Sequence, residues 1–125
     1  MLQDNTFGIW KFPIARDGKG RTERMNRQVL RKALRIYGES NQIIKLGEEV
    51  GELLQAVSKF HWRSNNYDYP GEKAKSREAV VTEVADVLVM IEQVKLMAEI
   101  DDDELSEEIT RKVERLDDRL RVYED

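Results

Sequence analysis

Two short acidic patterns carry the strongest chemical signal in this chain: Glu48-Glu49-Val50-Gly51-Glu52-Leu53-Leu54 and Glu83-Val84-Ala85-Asp86-Val87-Leu88. Residues 49–54 and 83–88 nearly repeat each other, Glu-Val-Gly-Glu-Leu-Leu against Glu-Val-Ala-Asp-Val-Leu. In each, acids three positions apart stand one above the other on the same helix face. At about 100° per residue, Glu49 and Glu83 fall about 40° from the apolar residues Leu53 and Val87, so both pairs border the core. A single pair of this kind is ordinary solvated helix surface. Two equivalent pairs on two core-forming helices bring four carboxylates together once the helices pack. No Lys or Arg lies within either pattern, so the like charges raise one another's pKa unless a cation neutralises them. Oxygen-only donors select hard ions, Mg²⁺ or Mn²⁺ over Zn²⁺. The candidate metal ligands are therefore Glu49, Glu52, Glu83 and Asp86.

Competing chemistries are poorly supplied. A di-iron carboxylate bundle needs Glu-x-x-His motifs, and the sole histidine, His61, has Ser58 three residues before it. His61 reads better as a helix-end surface residue than as a ligand. A phosphate-cradling P-loop is missing, because Asp17-Gly18-Lys19-Gly20 does not match its pattern. Phosphate binding would have to run through metal ions.

The composition narrows the setting. With 125 residues, the chain is long enough for one domain and one hydrophobic core. Charged residues at 37% and aromatics at 7% favour long amphipathic helices over a β-sandwich. A formal charge of −4 provides no global basic field to hold a nucleic-acid backbone. Cysteine is absent, which excludes disulfides and thiolate metal sites and fits a reducing compartment. No apolar run approaches a membrane span, and no signal-peptide core follows Met1. The expectation is a cytoplasmic protein with neither nucleic-acid nor membrane partners.

The elements that must position the acids follow from apolar periodicity. Residues 1–24 show none; they hold Phe7, Trp10, Phe12, Pro13 and the turn-rich run from Asp17 to Gly20. They are expected to form an extended arm packing on the body or on a neighbouring protomer, ahead of a helical domain over 25–125. A first short helix is expected from about Asn26 to Tyr37, stopped by Gly38. The second, capped by Ser40, carries the stripe Ile43, Leu46, Val50, Leu53, Val57 and Phe60 and ends near Trp62. A polar connection runs from Arg63 to about Lys75. The third helix, about Ser76 to Glu99, carries Val80, Val84, Val87, Ile91 and Val94. Asp101-Asp102-Asp103 supplies an N-cap for a last helix, about Glu104 to Tyr123, with Leu105, Ile109, Val113, Leu116 and Leu120. The fold class is thus all-α, a four-helix bundle. The first and last helices are narrow-faced and highly charged, so a second copy of the chain is a candidate to complete it.

The arrangement Glu-Glu-x-x-Glu, a thirty-residue interval, then Glu-x-x-Asp resembles the signature of the MazG-like, all-α nucleoside-triphosphate pyrophosphohydrolases. The likeness covers roughly residues 40–95, including the approach Asn41-Gln42-Ile43-Ile44-Lys45-Leu46. It implies a four-helix core, usually a homodimer or homotetramer, and Mg²⁺-dependent cleavage of a nucleoside triphosphate to monophosphate and pyrophosphate. By position it makes Glu49, Glu52, Glu83 and Asp86 metal ligands, with Mn²⁺ as a possible substitute ion. Glu48 would bind a further metal or orient and deprotonate the attacking water. Related enzymes commonly carry an asparagine near the basic residues of the last helix; Leu116 stands at the corresponding place here.

Several side features bear on substrate. Lys45, Lys59, Lys112, Arg115 and Arg119 could meet phosphates, or pair with neighbouring Glu as solvated surface charge. Gln42 and Asn41, about two turns before Glu49, could read a base edge. Trp62, Tyr67 and Tyr69 could stack on a base, although aromatics there more often serve packing. Gly47 and Gly51 leave room either for substrate beside the acids or for close helix packing. A non-catalytic helical protein that binds nucleotides or assembles on the same bundle is the alternative function.

Overall fold

A computed structural model describes residues 14–16, 22–66 and 71–124, with side chains over 25–63 and 71–124. The described residues are helical apart from one short ribbon, in which β1 (Ile14–Arg16) pairs antiparallel with β2 (Thr22–Arg24). The helices are α1 (Arg27–Tyr37), α2 (Glu39–Asn66), α3 (Glu72–Met97) and α4 (Asp102–Leu120). The all-α class expected from periodicity therefore holds. The ribbon was not expected, because three-residue strands are too short to show alternation. The aromatic cluster Phe7, Trp10 and Phe12 and the packing proposed for the arm lie outside the described residues, as do Tyr67 and Tyr69. Among the described residues no helix is long and apolar enough to cross a membrane.

The chain divides into two compact units, residues 26–97 and the remainder. In the first, Asn26 caps α1 by accepting hydrogen bonds from the Gln28 and Val29 amides at 3.0 and 3.3 Å. Gly38, at φ 88°, ends α1 and donates to the Leu34 carbonyl at 3.0 Å. Its own carbonyl accepts from the Gln42 amide at 3.1 Å, so one glycine closes one helix and opens the next. Ser40 accordingly lies inside α2 and is not its cap. The α2 and α3 helices each run about a turn closer to one another than expected. Arg63 explains this, since its guanidinium binds the Ser76 hydroxyl at 2.8 Å and the Glu72 carboxylate at 3.3 Å across the helix ends. Ser76 is buried within α3, not at its start.

The α2 and α3 helices form an antiparallel hairpin with a heptad seam. Gln42, Leu46, Glu49, Leu53, Ala56 and Phe60 line it on α2; Ser76, Val80, Glu83, Val87, Met90 and Val94 line it on α3. The expected stripes are corrected here. Every second member, Ile43, Val50 and Val57 on α2 and Val84 and Ile91 on α3, is exposed. The apolar arc of each helix is wider than one helix–helix contact covers, so half of it turns outward.

At one end of the seam, the buried Gln42 Nε2 donates to the buried Gln93 Oε1 at 2.7 Å. Gln42 is therefore not a free reader of a base edge: its amide is engaged inside the unit. Asn41 Nδ2 likewise donates to the Tyr37 carbonyl at 2.7 Å.

The second unit contains α4, which opens with a capping box: Glu104 N–H donates to Asp101 Oδ1 at 2.8 Å, and Asp101 N–H to Glu104 Oε1 at 2.9 Å. The acids of its first turn complement the helix dipole.

The Gln42–Gln93 pair yields a stability test. Gln93→Leu alone strands the Gln42 amide in a buried position and is expected to cost about 1–3 kcal/mol in urea unfolding. Replacing both with Leu removes donor and acceptor together and should recover most of that loss. A double variant as unstable as the single one would contradict the pairing.

Candidate metal centre

Glu49 lies on α2 midway along the seam, flanked by Leu46 and Leu53; Glu83 and Asp86 face it from α3, beside Val87. One oxygen from each of Glu49, Glu83 and Asp86 lies within 4.8 Å of the others. Glu49 is only 5% exposed, and Glu83 and Asp86 are half-buried. Glu49 Oε2 and Glu83 Oε2 are both buried without a hydrogen-bond partner. A stranded carboxylate oxygen is costly in a packed interior, and two of them beside a third carboxylate form a donor set suited to a hard cation.

The electrostatics are asymmetric. Lys45, one turn before Glu49, places Nζ 2.9 Å from Glu49 Oε1 and 3.9 Å from Glu48 Oε2. Its hydrogen bond is the main reason that the Glu49 carboxyl is held below the ordinary range, against an opposing push from burial. The Lys45 ammonium is raised in turn by the same bond and by the charge of Glu49. Among the described residues no cation pairs with Glu83 in the same way. Burial, then the charges of Glu52, Asp86 and Glu49, push its carboxyl up.

The other expected site residues separate by position. Glu52 is exposed and outside the tight trio, yet its carboxylate is near enough to Glu83 to raise it. Glu48 is exposed at the mouth, reached by Lys45. Lys59 lies on α2 ten residues beyond Glu49, about 15 Å along the axis. Lys112 and Arg115 lie on α4, in the second unit; Lys112 Nζ is 3.7 Å from Glu108, whose carboxyl Arg111, Lys112 and Arg115 hold below its ordinary range. His61 and Trp62 are exposed near the α2 terminus. Among the described residues, Gly47 and Gly51 have open space where a side chain would begin, so close packing against those residues does not account for them. Of the two roles expected for Lys45, pairing with a neighbouring Glu is the one seen here, at the i,i+4 spacing to Glu49.

By helix geometry, Glu52 and Lys45 project from one side of the seam and Val50, Leu54 and Val57 from the other. Because the helices are antiparallel, Asp86 falls on the side of Glu52, and Val84 and Ile91 on the side of Val50. The hairpin thus has a charged flank and an apolar flank.

The raised Glu83 carboxyl gives a signed pH dependence. Its folded pKa lies above the unfolded one, so its contribution stabilises below the unfolded value and is lost as pH rises through the folded value. In chelator-treated protein, Glu83→Gln is expected to melt higher than the parent at pH 8, with the gap closing towards pH 4. A gap independent of pH would refute this assignment. Comparison with known proteins adds no identity: no family model matches the chain, and neither a curated protein nor a solved structure matches it.

Proposed function

We propose that the chain is a Mg²⁺-dependent nucleoside-triphosphate pyrophosphohydrolase, releasing a monophosphate and pyrophosphate. The observation that carries the metal reading is the Glu49, Glu83 and Asp86 cluster with its two stranded, buried oxygens. The reaction itself rests on the resemblance of the Glu48–Glu52 and Glu83–Asp86 patterns to the MazG-like signature. Glu49, Glu83 and Asp86 would hold the ion, with Glu52 close enough to join them. Mg²⁺, or Mn²⁺ in its place, would supply charge neutralisation of the phosphate oxygens and polarisation of the attacked phosphorus.

The chain's own residues then divide the remaining work. Glu48 stands at the exposed mouth and would orient a water and take its proton as the water's oxygen attacks the α-phosphorus. The new P–O bond forms as the α–β anhydride bond breaks, and pyrophosphate carries away the bonding pair. Lys45, on the same flank, would bind phosphate oxygens. Lys59, further along α2, is another candidate phosphate ligand. The enzyme would work on the nucleotide pool of the cytoplasm.

A second reading, assembly, is favoured by the apolar flank. Ile43, Val50, Leu54 and Val57 are all exposed on α2, as are Val84 and Ile91 on α3. Contiguous apolar surface of that kind marks an interaction face. Its occupant in this proposal is a second copy, giving a homodimer or homotetramer that keeps the charged flank open.

A panel of nucleoside and deoxynucleoside triphosphates, incubated with Mg²⁺ or Mn²⁺ and analysed for products, tests the function. Pyrophosphate release that stops with chelator is expected. Glu49→Ala and Asp86→Ala should each lower kcat/KM at least ~100-fold, the scale of removing one group that stabilises transition-state charge. No turnover across the panel, with either ion, would leave only the assembly reading.

A further inference from the structure

The contact between Lys45 and Glu49 points beyond a static ligand set. Lys45 Nζ takes Glu49 Oε1 at 2.9 Å, while Glu49 Oε2 and Glu83 Oε2 are left without partners. One ammonium thus satisfies one edge of a cluster built from three carboxylates. The two partners are unequally free to move. The Lys45 side chain is 50% exposed, whereas that of Glu49 is 7% exposed. Lys45 can swing into water on its flexible stem; Glu49 is held in the seam between Leu46 and Leu53. The pair also runs Lys before Glu along the helix, the less favourable order for an i,i+4 ion pair. The contact is therefore one-sided: a fixed buried carboxylate with a detachable cation.

We infer that Lys45 is an internal competitor of the metal: its ammonium neutralises Glu49 until a divalent cation takes over that role and releases it towards the substrate's phosphates. This rests on the metal reading above. A doubly charged ion among three carboxylates removes the attraction that keeps Lys45 on Glu49, and it repels the ammonium at the same time. The freed side chain, rooted one helical turn from Glu49 and next to Glu48, presents a compact positive charge with three donors. Metal loading and phosphate binding are then linked through one side chain, and excess positive charge is not held in the site when no phosphate is there.

The consequence is a split of opposite signs that an ordinary structural lysine would not produce. Mn²⁺ binding to the Lys45→Met protein, measured by titration calorimetry after chelator treatment, is expected to tighten about tenfold relative to the parent. The melting-temperature increase caused by Mn²⁺ should grow in the same variant, since binding to the native state raises stability. KM for a hydrolysed triphosphate should rise several-fold. Lys45→Arg, which keeps the charge, should show no tightening. Unchanged or weaker Mn²⁺ binding in Lys45→Met would overturn the inference while leaving the metal site intact. A parent protein that binds neither Mn²⁺ nor Mg²⁺ would overturn both this inference and the metal reading. A measurement on the unmodified chain covers a variant that fails to fold. The Lys45 Cε–Hε resonance, followed by NMR during a Mg²⁺ titration, should move in step with metal occupancy, and a resonance that does not respond would overturn the proposal.

Discussion

Acidic residues buried at the seam of a two-helix hairpin impose the constraint on which the rest of this protein depends. Glu49 and Glu83 occupy positions that a plain antiparallel coiled coil would give to aliphatic side chains. Each carboxylate loses hydration there, and Glu83 in addition feels Glu52, Asp86 and Glu49 as like charges. Lys45 relieves Glu49 but leaves Glu83 with a raised carboxyl. A core designed for stability alone would not contain this cluster. In the proposed function a divalent cation would offset that electrostatic cost, because clustered carboxylate oxygens are the ligands that hard ions take.

Holding those acids opposite one another requires a fixed register. Sliding one helix past the other by a heptad would preserve much of the apolar contact, since Leu, Val, Ala and Met recur along both seams. Polar groups penalise such a slip. Gln42 finds Gln93 at one end, and Arg63 finds Ser76 and Glu72 at the other. A shifted register would leave buried amide or hydroxyl groups unpaired, which costs more than the apolar contacts would recover. Buried polar pairs at seam positions are a recognised means of specifying register in coiled coils. Here they bracket the carboxylates, so the residues that fix the fold also align the site.

Much of this was legible from local pattern. Helix spacing placed Glu49 and Glu83 at the core edge, and Asn26, Gly38 and Asp101 marked helix boundaries through the ordinary chemistry of caps. The failures have physical causes. Ser40 reads as a cap and Ser76 as a helix start, but a glycine turn and the cross-helix grip of Arg63 place the helix starts ahead of them. The stripe containing Ile43, Val50 and Val57 fitted a buried face because periodicity reports an arc and not which part of it has a partner. Gln42 seemed available for ligand recognition because sequence spacing does not reveal that Gln93, fifty-one residues away, lies opposite. The burial of Ala56, together with Glu49, shows the true inward direction of α2.

That inward direction also explains why both flanks of the hairpin matter. A seam that uses Glu49, Glu83 and small residues such as Ala56 and Ser76 has little apolar area to contribute. In the described residues the buried hydrophobic side chains are Leu30, Ala56, Val87 and Met90, while many larger ones are exposed. Hydrophobic stabilisation scales with area removed from water, so placing polar chemistry in the seam shifts the demand for apolar burial outward to the flank of Ile43, Val50 and Val57. The exposed flank is thus a counterpart of the acidic seam. Substituting aliphatic residues for the acids would make the hairpin more self-sufficient, but it would remove the feature that the outward apolar surface makes possible to retain.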